Sequence, residues 1–307
     1  RIKAGLETQF YSGLSSVLGK GVQLTQCNMF AGDPGCIERE INGTLAVTTG
    51  DVKRVYEKYI KGKNYVATSF VPKGKLALAL DGSTMAEVVE EKIVQGAETA
   101  VDPSVKATYE KTPSTFDRSI EPPYGPAPVV KTPVVWEGKL ANGLRVYGIQ
   151  NTEVPLVQFQ VAIDGGQLLD DIKKVGVANL MARMLTQGTA NKTPQELEEA
   201  IQQLGASISV NAGSEETRIN VTTLAKNYDA TLALVEEILL EPRWDAKEFA
   251  LIKQGTLAQI RQLDANPNAI AQREFNALVY GKDNIRSHSI LGTLDAARSR
   301  RLPQRLF

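Results

Sequence analysis

The chain has 307 residues, 42% of them hydrophobic and 23% charged, with 35 lysines and arginines against 35 aspartates and glutamates. That length suits about two ordinary globular domains. A net charge of zero gives no global field to favour nucleic acid or an anionic membrane surface. No apolar run is long enough to span a bilayer, and none reads as a signal peptide. A start at Arg1, without methionine, is what a piece of a longer precursor would show.

In chain order, Leu6, Phe10, Tyr11, Leu14, Val17 and Leu18 recur at helical spacing. Residues 27–41 read as a Gly-Asp-Pro-Gly loop followed by a short amphipathic stretch. Thr48 with Asp51 three residues on has a capping-box pattern. The helix it starts has Val52, Val55, Tyr56, Tyr59 and Ile60 on one face. Two extended runs around Pro72-Lys73-Gly74 signal a hairpin over residues 65–80. Residues 81–135 end in "EPPYGPAPVVKTPVV", whose prolines disfavour helix and central strand, so this segment reads as an extended interdomain tether.

A second folded segment starts near Trp136. Asn142-Gly143 between alternating runs signals a two-residue hairpin, and residues 155–166 alternate as a half-buried strand. Residues 176–189, "GVANLMARMLTQGT", form an amphipathic helix. The next helix is capped by Thr193 with Glu196, a hairpin over 206–226 turns near Asn211–Glu215, and helices cover 227–240 and 246–266. Two strands, two helices, two strands, two helices imply an α+β fold, with helices on one face of a mostly antiparallel sheet.

Signature motifs are sparse. There is no Walker loop, dinucleotide fingerprint or Gly-x-Ser-x-Gly elbow. Asp164-Gly165-Gly166 reads as a strand exit. Adjacent Asp170 and Asp171 face apart, and the pairs Glu198-Glu199, Glu215-Glu216 and Glu236-Glu237 read as solvated faces. Cys27 and Cys36 either close a small disulfide or remain two free thiols, and nothing nearby completes a zinc site. His288, the single histidine, reads as a surface or capping residue. In the helix over 176–189, Val177, Leu180, Met181, Met184 and Leu185 form the core stripe, leaving Asn179, Ala182 and Arg183 on the polar face. Arginine stays protonated and has no lone pair to give, and alanine has no donor, so this face holds no zinc.

Those residues resemble the pitrilysin/insulinase family of zinc peptidases, whose inverted motif is His-x-x-Glu-His. Gly176-Val177-Ala178, Met184-Leu185 and Gly188-Thr189 keep the family's frame. Asn179 stands at the first histidine, Ala182 at the catalytic glutamate and Arg183 at the second histidine. Gln259 aligns with the third ligand, a glutamate on a later helix. Residues 9–74 resemble the late helices and closing hairpin of a preceding domain in the same family. The end of the chain, "ARSRRLPQRLF", departs from the pattern.

The resemblance implies three parts: residues 1–80 as the end of a first-half domain, 81–135 as the linker, and 136–307 as the first domain of a non-catalytic second half. It implies a section that helps close a clamshell chamber around peptide substrate. No catalytic, cofactor or metal residue is expected in this chain. Zinc would come from the catalytic half of the same peptidase or from a paired active subunit, and a periplasmic or cell-envelope setting would suit a Cys27–Cys36 disulfide. The other reading is a scaffold or binding subunit on the same fold with no peptidase activity.

Overall fold

The structure, a computed structural model, describes residues 1–84, 117, 119–121, 123–127, 129 and 131–292. The proline-rich tether and the "ARSRRLPQRLF" end therefore lie largely or wholly outside the described residues. Two compact units divide the chain, one formed by residues 1–48 and 150 onward, the other by residues 49–149.

In the first unit, α1 (Ile2–Leu14) and α2 (Val17–Ala31) split the long apolar periodicity near the N-terminus in two. The cause is local: the Ser16 hydroxyl accepts from the Gly19 amide at 3.0 Å and starts a new helix. α2 runs on to Ala31, so Cys27 sits inside a helix rather than in the expected loop, and Gly32 ends it in the left-handed region at φ +68°. α3 (Cys36–Ala46) follows.

The second unit contains α4 (Thr49–Tyr59), which starts directly after Thr48, and a two-stranded antiparallel hairpin of β1 (Val135–Lys139) and β2 (Arg145–Ile149). The hairpin is present, but its loop is longer than two residues. Gly143 N–H bonds to Leu140 C=O, Leu140 N–H bonds to Leu144 C=O, and Gly143 sits at φ +91°. That is a three-residue loop with a glycine bulge, which puts Gly143 rather than Asn142 in the left-handed region. The hairpin expected over 65–80 does not form. Pro72 C=O accepts from Lys75 N–H as a turn, yet no strands pair around it, and Tyr65, Val66 and Phe70 stay exposed. Two short runs without a third strand or a helix to cover them gain too little burial to pair.

The rest of the first unit is the sheet body. β3 (Leu156–Asp164), β4 (Ser207–Ala212) and β5 (Glu216–Leu224) form an antiparallel sheet in the order β3-β5-β4. Leu156 pairs with Leu224 and Asp164 with Glu216 on one side of β5, and Ser207 pairs with Thr222 on the other. The period-two pattern decides the faces. Thr217, Ile219, Val221 and Thr223 of β5 are buried, whereas Gln160 and Asn220 meet on the open face at 2.7 Å.

Against the buried face lie α5 (Val177–Leu185), α6 (Pro194–Gln203) and α7 (Tyr228–Leu240). Leu185, Leu197, Ile201, Leu234 and Ile238 from these helices close over Ile219 and Val221. α6 has the expected cap, with Thr193 and Glu196 bonding to each other's backbone N–H. α8 (Ala246–Asp264) forms a second wall on α5, where Leu180 and Met184 pack with Ile252. α9 (Pro267–Tyr280), capped by Asn266, extends the helical end beyond the expected pattern. Within the described residues this is the α+β arrangement read from the sequence.

Candidate functional site

α5 begins at Gly176, which has φ +105° and no side chain to cap the helix. Asp170 supplies the missing acceptor from outside, taking N–H bonds from Gly176 at 2.7 Å and Ala178 at 3.0 Å. Burial pushes its pKa up, and this outweighs the backbone N–H bonds, which pull it down. Asp171 serves a different turn, accepting from its own Lys173 N–H at 2.9 Å. The two aspartates thus act apart, as their adjacency implies. A side chain at Gly176 would meet the Leu291 carbonyl at 2.7 Å, so this glycine also admits the Leu291–Gly292 backbone.

The helix carries less polar surface than its pattern suggests. Ala182, assigned to the polar face, is only 1% exposed and joins the core with Ala178 and Leu185. Two apolar walls, the sheet on one side and α8 on the other, consume most of the circumference. What remains polar is Asn179 and Arg183, one turn apart. Arg183 Nη1 donates to Thr256 Oγ1 at 2.8 Å and to Gln259 Oε1 at 3.3 Å. Thr256 is fully buried and donates in turn to the Ile252 carbonyl at 2.9 Å. The structure thus brings Arg183 and Gln259, 76 residues apart, into contact. Asn179 Oδ1 is buried without a hydrogen-bond partner.

This donor set does not fit zinc. Zinc takes imidazole, thiolate or carboxylate, and here a guanidinium, two carboxamides and a methyl group stand on the facing helices. A fixed cation at Arg183 also repels a second one.

After α5, the Gly188-Thr189 pair performs a packing task. The Gly188 carbonyl accepts from Arg243 N–H, and Thr189 bridges to Pro242. Thr189 Oγ1 and Lys192 Nζ both donate to the Glu237 carboxylate at 2.5 Å. Glu237, read as part of a solvated face, is therefore a shielded ion-pair partner on α7. Burial raises its pKa, but the hydrogen bonds from Lys192 and Thr189 prevail and hold it below the usual glutamate range. Glu198 and Glu199 do stay on an exposed face.

Cys27 and Cys36 form a disulfide. Together with Glu40 they are the one cluster of three metal-type side chains among the described residues, and their sulfurs carry no thiolate to offer a metal. His288 closes the short turn Ile285–Ser287 through its N–H, and its carbonyl accepts from buried Gln167 at 2.8 Å. His288 also lines a cleft of about 390 Å³ that holds the Asp264–Arg273 ion pair. No helix among the described residues is long and apolar enough to cross a membrane.

An antiparallel sheet with helices on one face, α5 among them, defines the class: an α+β domain. Residues 145–293, just under half of the chain, match the family described as Insulinase (Peptidase family M16). An uncharacterized zinc protease of Rickettsia bellii is 25% identical over 155 residues, covering 50% of this chain and 37% of that protein. The non-peptidase homolog YmxG of Helicobacter pylori is 22% identical over 172 residues, covering 56% and 37%. Among solved structures, a peptidase M16 inactive domain from Pseudomonas fluorescens superposes with a TM-score of 0.52 at 24% identity, over 55% of this chain and 41% of that one. The fold is shared with that domain, and the match to each of these relatives spans about two-fifths of its length.

Proposed function

We propose that this chain is a non-catalytic section of a zinc peptidase, helping to form a chamber that holds peptide while zinc sits in a catalytic domain outside it. Asn179, Ala182, Arg183 and Gln259 would be the degenerate counterparts of the first histidine, the catalytic glutamate, the second histidine and the third ligand. The observation that carries this reading is the seating of Arg183 against Thr256 and Gln259, where a protein cation links the two helices that a metal would otherwise join. The partner is the catalytic half of the same polypeptide or a paired active subunit. The segments 1–80, 81–135 and 136–307 would be the end of one domain, the tether and the start of the second half. The Cys27–Cys36 disulfide supports an oxidising compartment such as a periplasm or cell envelope.

A scaffold role with no peptidase in the whole protein is the second reading, favoured by the Helicobacter pylori relative named as a non-peptidase homolog. Reading the polypeptide upstream of Arg1 separates the two: an intact His-x-x-Glu-His favours the peptidase. The site assignment is tested by restoration. The purified chain is expected to hold no stoichiometric zinc and to show no chelator-sensitive peptide cleavage. The combined variant Asn179→His, Arg183→His, Gln259→Glu is expected to take up about one zinc per chain, as three converging ligands would. Stoichiometric zinc and cleavage in the unaltered chain overturn the proposal. A folded triple variant that binds none overturns the assignment of these positions.

A further inference from the structure

Arg183 differs from the other arginines of its compact unit. Among the described residues these either reach a carboxylate, as Arg218, Arg243, Arg273 and Arg286 do, or are open to solvent, as Arg261 is. Arg183 is half-buried, and no carboxylate among the described residues lies within ion-pair distance of it. Both of its hydrogen bonds leave from Nη1 to neutral oxygens, and both acceptors stand on α8. The guanidinium is thereby held in place, with Nε and Nη2 free among the described residues. A partly desolvated cation without a counter-charge costs stability, and proteins keep such groups where a ligand supplies the missing charge. The planar fork of free N–H groups fits a carboxylate.

A second unmet group sits on the same face. Asn179, one turn earlier, has a carbonyl oxygen with no donor. That oxygen has no accessible surface as the chain stands, so a ligand N–H reaches it only after the Asn179 side chain turns outward; with that turn the face pairs surplus donors with an acceptor and complements a ligand carrying an anion next to an N–H. The last residue of a peptide has both: its carboxylate can accept from Arg183, and its amide N–H can donate to Asn179.

We propose that Arg183, with Asn179 beside it, binds the C-terminal carboxylate of a peptide. This rests on the peptide-holding reading above and assigns to that chamber a preference for peptide ends. It gives the degenerate position a task, since a fixed guanidinium there orients a peptide terminus without any metal.

The test uses the purified chain at neutral pH in a buffer free of carboxylates, with nitrogen-15 NMR of the Arg183 Nε–H signal as the readout. Two peptides share one neutral sequence, as the free C-terminal acid and as the C-terminal amide; the third is that amide with one internal residue replaced by glutamate. The free acid is expected to shift the Arg183 signal and to bind about tenfold tighter than the neutral amide, as one charge-assisted contact supplies. Arg183→Gln is expected to erase that preference while the β5 amide signals stay in place, showing an intact sheet. Asn179→Leu is expected to weaken acid binding without moving the acid's Arg183 shift.

Equal binding of acid and neutral amide overturns this inference and leaves the peptide-holding reading standing. Tighter binding of the glutamate peptide than of the free acid overturns the terminal assignment in favour of an acidic side chain. No binding of any of the three overturns both this inference and the peptide-holding reading.

Discussion

Helices α1–α3 and the sheet body share one compact unit but hold together by different means. In the body, twelve buried residues from the sheet and helices α5–α7 form one core. In the N-terminal layer, α1 has no buried residue, α2 has only Cys27 and α3 only Cys36. The layer docks by polar contacts: Thr8 Oγ1 to the Gly205 carbonyl at 2.7 Å, Lys226 to Glu7 at 2.7 Å, and Lys20 to Glu153 at 2.8 Å. The body is stabilised by apolar burial, the layer by one cross-link and a few surface bonds. Six large apolar residues of α2, including Leu18 and Phe30, remain exposed. The same chain thus contains a self-sufficient core and a layer that lacks one.

The largest expected effect sets the two regions against each other. Ile238, fully buried among α7, α5 and the sheet, is expected to cost about 3–4 kcal/mol on truncation to alanine. Leu18→Ala, at a position 78% exposed, is expected to stay within about 0.5 kcal/mol. Urea titration of both variants measures the contrast, and similar losses would remove it. Next in size is the disulfide. Its closed loop of nine-residue separation is worth about 2.5 kcal/mol by loop entropy. Reduction by a dithiol, or Cys27→Ala with Cys36→Ala, is expected to erase hydrogen-exchange protection in residues 17–46 and to spare β5. Loss of protection in β5 to the same extent would show that the layer and the body are one cooperative unit.

A third experiment concerns the helix that joins core to candidate site. Asp170→Ala leaves the Gly176 and Ala178 amides without their acceptor and is expected to cost about 1–2 kcal/mol, near that of a lost cap. The loss is read by thermal unfolding. Faster exchange at the amides of residues 176–178 would place it at the start of α5.

The sequence made the body legible where the period was local. Alternation along 156–164 and 216–224, the Thr193–Glu196 box and the apolar stripe of α5 each depend on residues a few positions apart. The misses depend on residues brought together from afar. Ala182 reads as polar-face because the core that buries it is completed by α6, α7 and the strands β4 and β5, all later in the chain. Glu237 reads as solvated because its partners, Thr189 and Lys192, lie more than forty residues earlier. Asp170 reads only as one of two aspartates that face apart, because the amides it caps belong to a helix still to come. The runs over 65–80 read as strands because β propensity is visible in sequence, whereas the absence of a partner strand is not. Of the candidate site, the residue types were legible, but the Arg183–Thr256–Gln259 contact required the fold.

The smallest expected effect is a pH response that belongs to the body. Lys192 and Glu237 are both largely shielded, with 29% and 14% of their side chains exposed, so their pair is screened less than the pairs of the layer. Glu237 has a folded pKa below its unfolded value because Lys192 and Thr189 bond to the ionised form. The folded state therefore binds fewer protons than the unfolded one in this range. The pair's contribution, about 1 kcal/mol for hydrogen bonds to a shielded charge, is fully present above the unfolded glutamate pKa of 4.5 and is lost as pH falls through the lower folded value. Lys192→Met is expected to flatten this acid response while adding little salt dependence. Raising the salt concentration is expected instead to weaken Lys226–Glu7 and Lys20–Glu153, which hold the layer. Unfolding followed against pH and salt in the two backgrounds separates these effects. An acid response unchanged by Lys192→Met would assign it to other carboxylates, Asp245 first among them, since backbone N–H bonds from Lys247 and Glu248 also hold its pKa down.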